Sequence, residues 1–432
     1  GKIAILRGGK LERLKLLVEA MKRDEGEEDC KWSATISSYE TIRRSWAAIR
    51  MIEWDLCIID ESHYIKSPYT KRFKNMLELR ERCKQRVCLT GTPVTNSLLD
   101  LFAQLEFLGE GLSGFTNWKK FREYYGKWED RGGRKTLVDY KNLPVLQERL
   151  ARLAFMIRKD EAMPDLPEKV YDIVEVTMSD EQAEIYKQVL TQLTLEIKNE
   201  IASASNKVLV VNNILTKMLR LAQVTSGFVV WNPQYSDDGE EIVPKEVDRL
   251  DPNPKIEALV ELLKEKNDKQ KTIIWACWVQ DIKTISARLK LEGIDNVMFY
   301  GGTSDSDRDE AERRFNGDPT CKVFIGNPAA GGTGLNLRGY NPDDPTSDTN
   351  CDHVIYFSQN WSMTARAQSE DRTHRRGTRV NVRYTDLCVP STIDEEIRER
   401  VLGKRMNALQ IQDIRCILER IIDNADSIGE DE

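Results

Sequence analysis

No apolar run in this 432-residue chain approaches the roughly 20 residues of a membrane-spanning helix, which excludes a helical anchor within it and any membrane partner reached that way. Cysteine is scarce: nine residues at positions 30, 57, 83, 88, 277, 321, 351, 388 and 416. The only close pair, Cys83 and Cys88, has no second pair near it, which argues against a zinc site. An odd, scattered set inside apolar runs such as "WDLCIID" fits reduced core thiols of an intracellular protein. Positive charge is not in excess either. A net charge of −7 excludes a basic protein that coats nucleic acid, although local basic stripes remain compatible with a nucleic-acid partner. Short-period internal repeats are also absent.

What is present is the composition of a globular protein, 40% apolar and 31% charged, long enough for two or three domains. The first third alternates apolar runs with helical patterns. "KIAIL" reads as a strand, and "KLERLKLLVEAMKR" as a helix with Leu11, Leu14, Leu17, Val18 and Met21 along one face. "WDLCIIDE" and "QRVCLTGTP" read as buried strands, and such continuous runs between helices predict a parallel sheet covered on both sides. From about Leu98 to Leu221 long helical patterns take over, with Ser179 and Asp180 forming a cap. Residues 232–254 are rich in Pro, Asp and Glu and read as an exposed loop or linker. Alternation then resumes with a helix at "KIEALVELLKEK" and strands at "KTIIWACW", "VMFY", "KVFIG", "HVIYF" and "VRYTDLCV". The fold class is therefore α/β, with two parallel-sheet units around a helical middle.

Four stretches carry chemistry. In "LCIIDESHYIKS", Asp60 and Glu61 follow a buried apolar strand at its C-terminal end, where parallel sheets hold ligands. Adjacent acids there can divide labour, one coordinating Mg²⁺ and the other orienting or deprotonating the water that attacks a phosphate. The next strand ends in Thr90-Gly91-Thr92-Pro93, whose hydroxyls would sense phosphate occupancy. "IGNPAAGGTGLNL" places four glycines after a strand, so that backbone approaches a phosphate or ribose closely. "QSEDRTHRRGT" carries Gln368, Arg372, Arg375 and Arg376, and arginines at i and i+3 share a helix face suited to a phosphoryl group.

In this order and spacing the four resemble the superfamily-two helicase-like ATPases, and within them the Swi/Snf-type DNA translocases. "DESH" is similar to the family's DEAH-type box, "LTGTPVTNSLLDLFAQLEFL" to its third motif, and "QSEDRTHRRGT" to its Gln-x-x-Asp-Arg-x-His-Arg-x-Gly signature. "ISSYETI", "FMIRKDEAMPDLPEKV" and "YGGTSDSDRDEAERRFN" resemble further family segments, so the likeness covers roughly residues 3–410. It implies two RecA-like lobes with helical protrusions, ATP and Mg²⁺ as cofactors, and duplex DNA as partner. By the same resemblance Asp60 holds the metal and Glu61 activates water, while His63, Thr90, Gly91 and Thr92 couple the site to DNA. Arg372 and Arg375 become arginine fingers with Gln368 beside them, and Gly334 meets the nucleotide. Gly301, Thr303, Arg308, Gly331, Gly332 and Asn336 meet DNA phosphates.

The implied domains are a partial first lobe at 1–160, a linker and second protrusion at 161–254, a second lobe at 255–392 and a helical brace or tail at 393–432. The family's phosphate-binding loop, Gly-x-x-x-x-Gly-Lys-[Ser/Thr], is not found. "LRGGKLER" lacks its first glycine and has Leu11 in place of the hydroxyl, so Gly8-Gly9-Lys10 reads as a structural turn. The expectation is a chain that begins inside the first lobe, the loop lying either upstream in a longer protein or on a separate polypeptide. A non-catalytic DNA-binding scaffold is the alternative reading, and a strand-separating helicase of a neighbouring branch is another. Thr378 stands where the family usually has Gln, and "GYNPDDPTSDTNCD" is longer than usual; these departures lean towards a bacterial or phage member.

Overall fold

The computed structural model describes residues 3–6, 8–21, 34–94, 97–130, 135–203, 218–230, 234–235, 241–243, 247–328, 334–344 and 346–403. Gly331, Gly332 and most of the expected C-terminal tail lie outside them. The chain divides into two compact units, residues 1–156 and 157–432.

The first unit opens on β1 (Ile3–Ile5), which pairs in parallel with β2 (Ala34–Ile36). Between them, α1 (Lys10–Met21) is amphipathic in a different register from the one its leucines suggest. Leu17 is buried, but Leu11 and Val18 are exposed, and the buried polar residue is Arg13. Its guanidinium donates to Ser45 Oγ at 2.8 Å and to the carbonyl of Gly8. Gly8 has φ +79°, and a Cβ there would collide with the Glu12 carboxylate, whose Oε2 accepts from Gly9 N at 3.4 Å. The double glycine is thus a turn closed on its own helix, with its backbone groups turned to Arg13 and Glu12.

β3 (Trp54–Ile59) pairs in parallel with β4 (Cys83–Cys88), the first followed by the acidic turn and the second by the Thr-Gly-Thr-Pro turn. Their inner face packs on α2 (Lys71–Arg80) and α3 (Leu101–Leu108), through Ile59, Phe73, Met76, Leu105 and Phe107. The other face differs from the expectation of a fully buried sheet. Leu56, Ile58, Val87 and Leu89 are 46%, 55%, 37% and 48% exposed, and the register sets Leu56 opposite Gln85 and Ile58 opposite Val87, on one side. A hairpin, β5 (Gly126–Asp130) and β6 (Lys135–Tyr140), interrupts what reads as helical sequence. Its Trp128 is stacked by Arg122, 3.9 Å from the ring centroid, a tertiary pairing that helical periodicity does not report.

The second unit is built on a six-stranded parallel sheet. In chain order its strands are β7 (Lys169–Glu175), β8 (Gln270–Trp275), β9 (Asn296–Phe299), β10 (Val323–Gly326), β11 (Asn350–Tyr356) and β12 (Val382–Cys388). The spatial order is β9-β10-β8-β11-β12-β7. Successive residues serve opposite cores, as a sheet covered on both faces requires. Ile273, Trp275, Phe324, Val354 and Tyr356 face one core; Ile274, Ile325 and Ile355 face the other, with Leu259, Ile282, Ile285 and Leu289 from the covering helices. Three helices of this unit carry the caps their sequences advertise: α4 (Pro254–Lys264) is capped by Asn253, α5 (Asp305–Gly317) by Ser304 and α6 (Met363–Glu370) by Ser362. Edge strand β7 lies within the stretch read as linker and protrusion. It pairs with β12 over its whole length, from Lys169 opposite Val382 to Glu175 opposite Cys388.

Candidate functional site: an acidic turn and an arginine segment

In the first unit, β3 delivers Asp60 and Glu61 at its C-terminal end. Glu61 adopts φ 49°, ψ 51°, the left-handed region that a non-glycine residue enters at a cost of roughly 1–2 kcal/mol. That turn is held from several sides. Asp60 Oδ1 accepts from Glu61 N at 2.9 Å, and Tyr39 OH donates to the Asp60 carbonyl at 2.8 Å. Burial, with lesser repulsion from Cys88 and Asp60, pushes the Tyr39 phenol well above its ordinary range, so it stays a donor. Ser62 is fully buried and donates to Gln104 Oε1 at 2.7 Å, while Gln104 Nε2 donates to the Pro93 carbonyl at 2.7 Å.

Gln104 is not singled out by sequence reasoning. Its signal is that it is one of two polar residues, with Glu106, inside the mostly apolar "LFAQLEFL" helix, and its work is to tie the acidic turn to the Thr-Gly-Thr-Pro turn. His63 makes the second tie. Its Nδ1 lies 3.1 Å from Glu61 Oε2 and 3.3 Å from Thr90 Oγ1, and Thr92 N donates to Thr90 Oγ1 at 3.1 Å. The structure therefore brings Asp60, Glu61, His63, Thr90 and Thr92 together, with Gly91 exposed between the threonines. Asp60 remains exposed. A lone exposed carboxylate fits a magnesium ion that takes its other ligands from water and phosphate. No cluster of three or more His, Cys, Asp or Glu suited to a metal occurs among the described residues.

In the second unit, Gly301, Thr303 and Arg308 meet in the turn after β9. Arg308 Nη2 donates to the carbonyls of Tyr300 and Gly301 at 3.1 and 3.2 Å, and Thr303 Oγ1 accepts from Tyr300 N at 3.1 Å. Gly334 has φ +75°, and Asn336 is fixed through its backbone by Glu312 and Asn316. Gln368 lies on α6, but Arg372 and Arg375 follow that helix, which ends at Glu370, instead of sharing its face. A tight turn carries them. Arg375 N donates to Thr378 Oγ1 at 3.0 Å, and that hydroxyl reaches back to the carbonyls of Thr373 and Arg375. Arg375 Nη1 donates to the Leu335 carbonyl at 3.3 Å and Leu337 N to the Arg372 carbonyl at 3.2 Å, so residues 335–337 and the arginine segment are bonded to each other.

The sequence that carries these two assemblies matches known families. The SNF2-related domain matches residues 8–227 and the helicase conserved C-terminal domain residues 254–377, and the chain belongs to the SNF2-related family. It is 28% identical over 429 residues to the ISWI chromatin-remodeling complex ATPase ISW1 of Saccharomyces cerevisiae, covering 98% of this chain and 35% of that protein. It is 27% identical to the ATP-dependent helicase brm of Drosophila melanogaster, covering 85% of this chain and 22% of that protein. The chain thus spans about a third or less of these curated relatives. Among solved structures, a Sulfolobus solfataricus SWI2/SNF2 ATPase core in complex with dsDNA is 23% identical at a TM-score of 0.41, covering 97% of this chain and 81% of that one. Relatives from yeast and fly lend no support to a bacterial or phage origin. No helix among the described residues is long and apolar enough to cross a membrane.

Proposed function

We propose that this chain belongs to an ATP-driven translocase on duplex DNA, here lacking the phosphate-binding loop. The observation that carries the reading is the left-handed Glu61, whose carboxylate is held by a histidine that also reaches Thr90. A strained carboxylate kept on the end of a parallel strand suits a group that must meet one water in one place. Asp60 would hold Mg²⁺, Glu61 would take the proton of the attacking water, and Arg372 and Arg375 would meet the charge developing on the phosphoryl oxygens. When bound, the ion neutralises phosphate charge. Gly334 would approach the nucleotide. Gly301, Thr303, Arg308, Asn336 and the neighbouring Gly331 and Gly332 would meet DNA phosphates, and His63, Thr90, Gly91 and Thr92 would report nucleotide state to them.

The phosphate-binding loop is taken to come from a segment outside residues 1–432, on the same natural chain or another. The exposed apolar face of β3 and β4, on the strands that end in the acidic and threonine turns, supports that reading: parallel strands are stable when both faces are covered. The domain reading keeps a first lobe to about residue 160 and a second lobe from 255 to 392, joined through 161–254, with a helical tail after it. The test is ATP turnover with and without duplex DNA, for residues 1–432 alone and for protein completed by a segment bearing a Gly-Lys-Thr loop. The short chain is expected to be inactive yet to bind DNA in a salt-dependent way. The completed protein is expected to turn over when DNA is added, and Glu61→Gln to lower that rate by about 10²–10⁴-fold. Turnover by the short chain alone overturns the completion, and an inert completed protein overturns the motor.

A further inference from the structure

The chain passes from the first unit to the second at residues 156–157, and the stretch from there to β7 is not a free tether. Lys159 Nζ lies 2.5 Å from Asp371 Oδ1 and also reaches the carbonyl of His374. His374 Nε2 donates to the Pro167 carbonyl at 2.6 Å. Lys169 Nζ and Tyr171 OH both meet Glu370 Oε2 at 2.8 Å, and Arg366 Nε holds the other oxygen of that carboxylate at 2.8 Å. Positions 370, 371 and 374 bracket Arg372 and immediately precede Arg375. Four anchors on one short stretch of entering chain, Lys159, Pro167, Lys169 and Tyr171, therefore fall on the segment that carries both arginines.

Sheet pairing does not require these bonds. β7 begins at Lys169, so Lys159 and Pro167 contribute nothing to its ladder with β12. Nor is global stability their evident purpose, because Lys159 and Asp371 are 33% and 51% exposed, and such pairs contribute about 0–1 kcal/mol. Burial lowers the His374 pKa, with Lys159 and Lys169 adding to it against the Pro167 bond. The ring is thus neutral near pH 7 and donates through Nε2.

We propose that Lys159, Pro167, Lys169 and Tyr171 form a latch, with Lys159 as its key positioning residue, that holds the Glu370–Arg375 segment where its arginines serve ATP hydrolysis. The latch makes the connection between the units a mechanical input to the arginines: tension on residues 157–169 is delivered to 370–374 through four bonds. It rests on the reading of Arg372 and Arg375 as phosphate-facing, and the first part of its test needs no ATP.

Hydrogen–deuterium exchange on the whole chain reads the latch directly. Lys159→Ala is expected to raise amide exchange at 371–376 several-fold, with β8 unchanged, and Lys159→Arg to restore it. His374→Leu, which loses the donor to Pro167, should give the same local rise; His374→Gln, which keeps one, should not. In completed, ATP-hydrolysing protein, Lys159→Ala should lower kcat about tenfold at unchanged KM, again restored by Lys159→Arg. No rise at 371–376, an equal rise in β8, or an unchanged kcat overturns the latch. An inert wild-type completed protein fails the motor reading instead, while the exchange result still decides whether the segment is held.

Discussion

The two units are made of similar strands and treat them in opposite ways. In the second, Ile273, Ile274, Ile325, Val354 and Ile355 are fully buried because helices cover both faces of a six-stranded sheet. In the first, β3 and β4 form a two-stranded parallel pair, with Ile59 buried on one side and Leu56, Ile58, Val87 and Leu89 exposed on the other. Leaving four such side chains about half exposed forgoes roughly half of the 1.5–3 kcal/mol that fully burying each would supply. The difference teaches that apolar strand sequence specifies a need for cover, and that the cover for this face is not among the described residues of its own unit. The acidic turn stands on the half-covered pair, and the arginine segment on the complete sheet.

If the second unit is self-sufficient, its strongest buried tie should be costly to cut and the loss should stay local. Arg366 sits between Glu370 and Asp386, at 2.8 and 2.5 Å, with its guanidinium 3.5 Å from the Tyr356 ring centroid. Arg366→Leu leaves two buried carboxylates short of their cation and is expected to cost about 3–5 kcal/mol. Urea unfolding followed by peptide-resolved exchange should show that loss in residues 157–403 and none in β3 and β4. An equal loss in the first unit would mean that the two do not fold separately, and the comparison would fail.

A smaller effect separates the units by pH. Asp281 lies in the first turn of α-helical residues 279–291 and is buried; that burial raises its pKa from 3.8 to about 7, against bonds from Ser358 and Ser226 and the charge of Lys255. Such a carboxyl holds its proton more tightly folded than unfolded. Its contribution is therefore fully present below about pH 4 and is lost as pH rises through about 7, by up to about 4 kcal/mol. Asp281→Asn keeps an acceptor for Ser358 and should flatten that dependence between pH 5 and 8 in the second unit alone. A wild-type stability that does not fall over this range would remove the effect.

The second unit is legible in the sequence because its strands β8 to β12 are short runs rich in apolar residues, set between helices most of which carry a capping residue. Edge strand β7 is not, because "KVYDIVE" alternates polar and apolar residues, and what makes it a strand is its partner β12, more than 200 residues away. The acidic and threonine turns are legible as motifs, but not the bonds of Gln104 and His63 that join them, since those depend on side-chain direction. The arginine pair is legible as a pair. Its support is not, because Lys159 and Asp371 read as ordinary surface charges until the fold sets them against each other.

The finest test of the comparison is one substitution made at two sites. Ile355→Ser removes a fully buried side chain and leaves a hydroxyl in a dry core, so it should cost several kcal/mol; large-to-small changes there run at about 2–5. Ile58→Ser, on a strand of the same kind, removes a side chain already 55% exposed and should stay within about 0.5 kcal/mol in residues 1–432. The expected ranking changes once a segment bearing the phosphate-binding loop is present. Ile58 then passes from solvent into an interface, and Ile58→Ser should weaken assembly while Ile355→Ser does not weaken it further. A cost at Ile58 in the short chain as large as that at Ile355 would mean the face is already covered, and the structural case for a completing segment would fall with it.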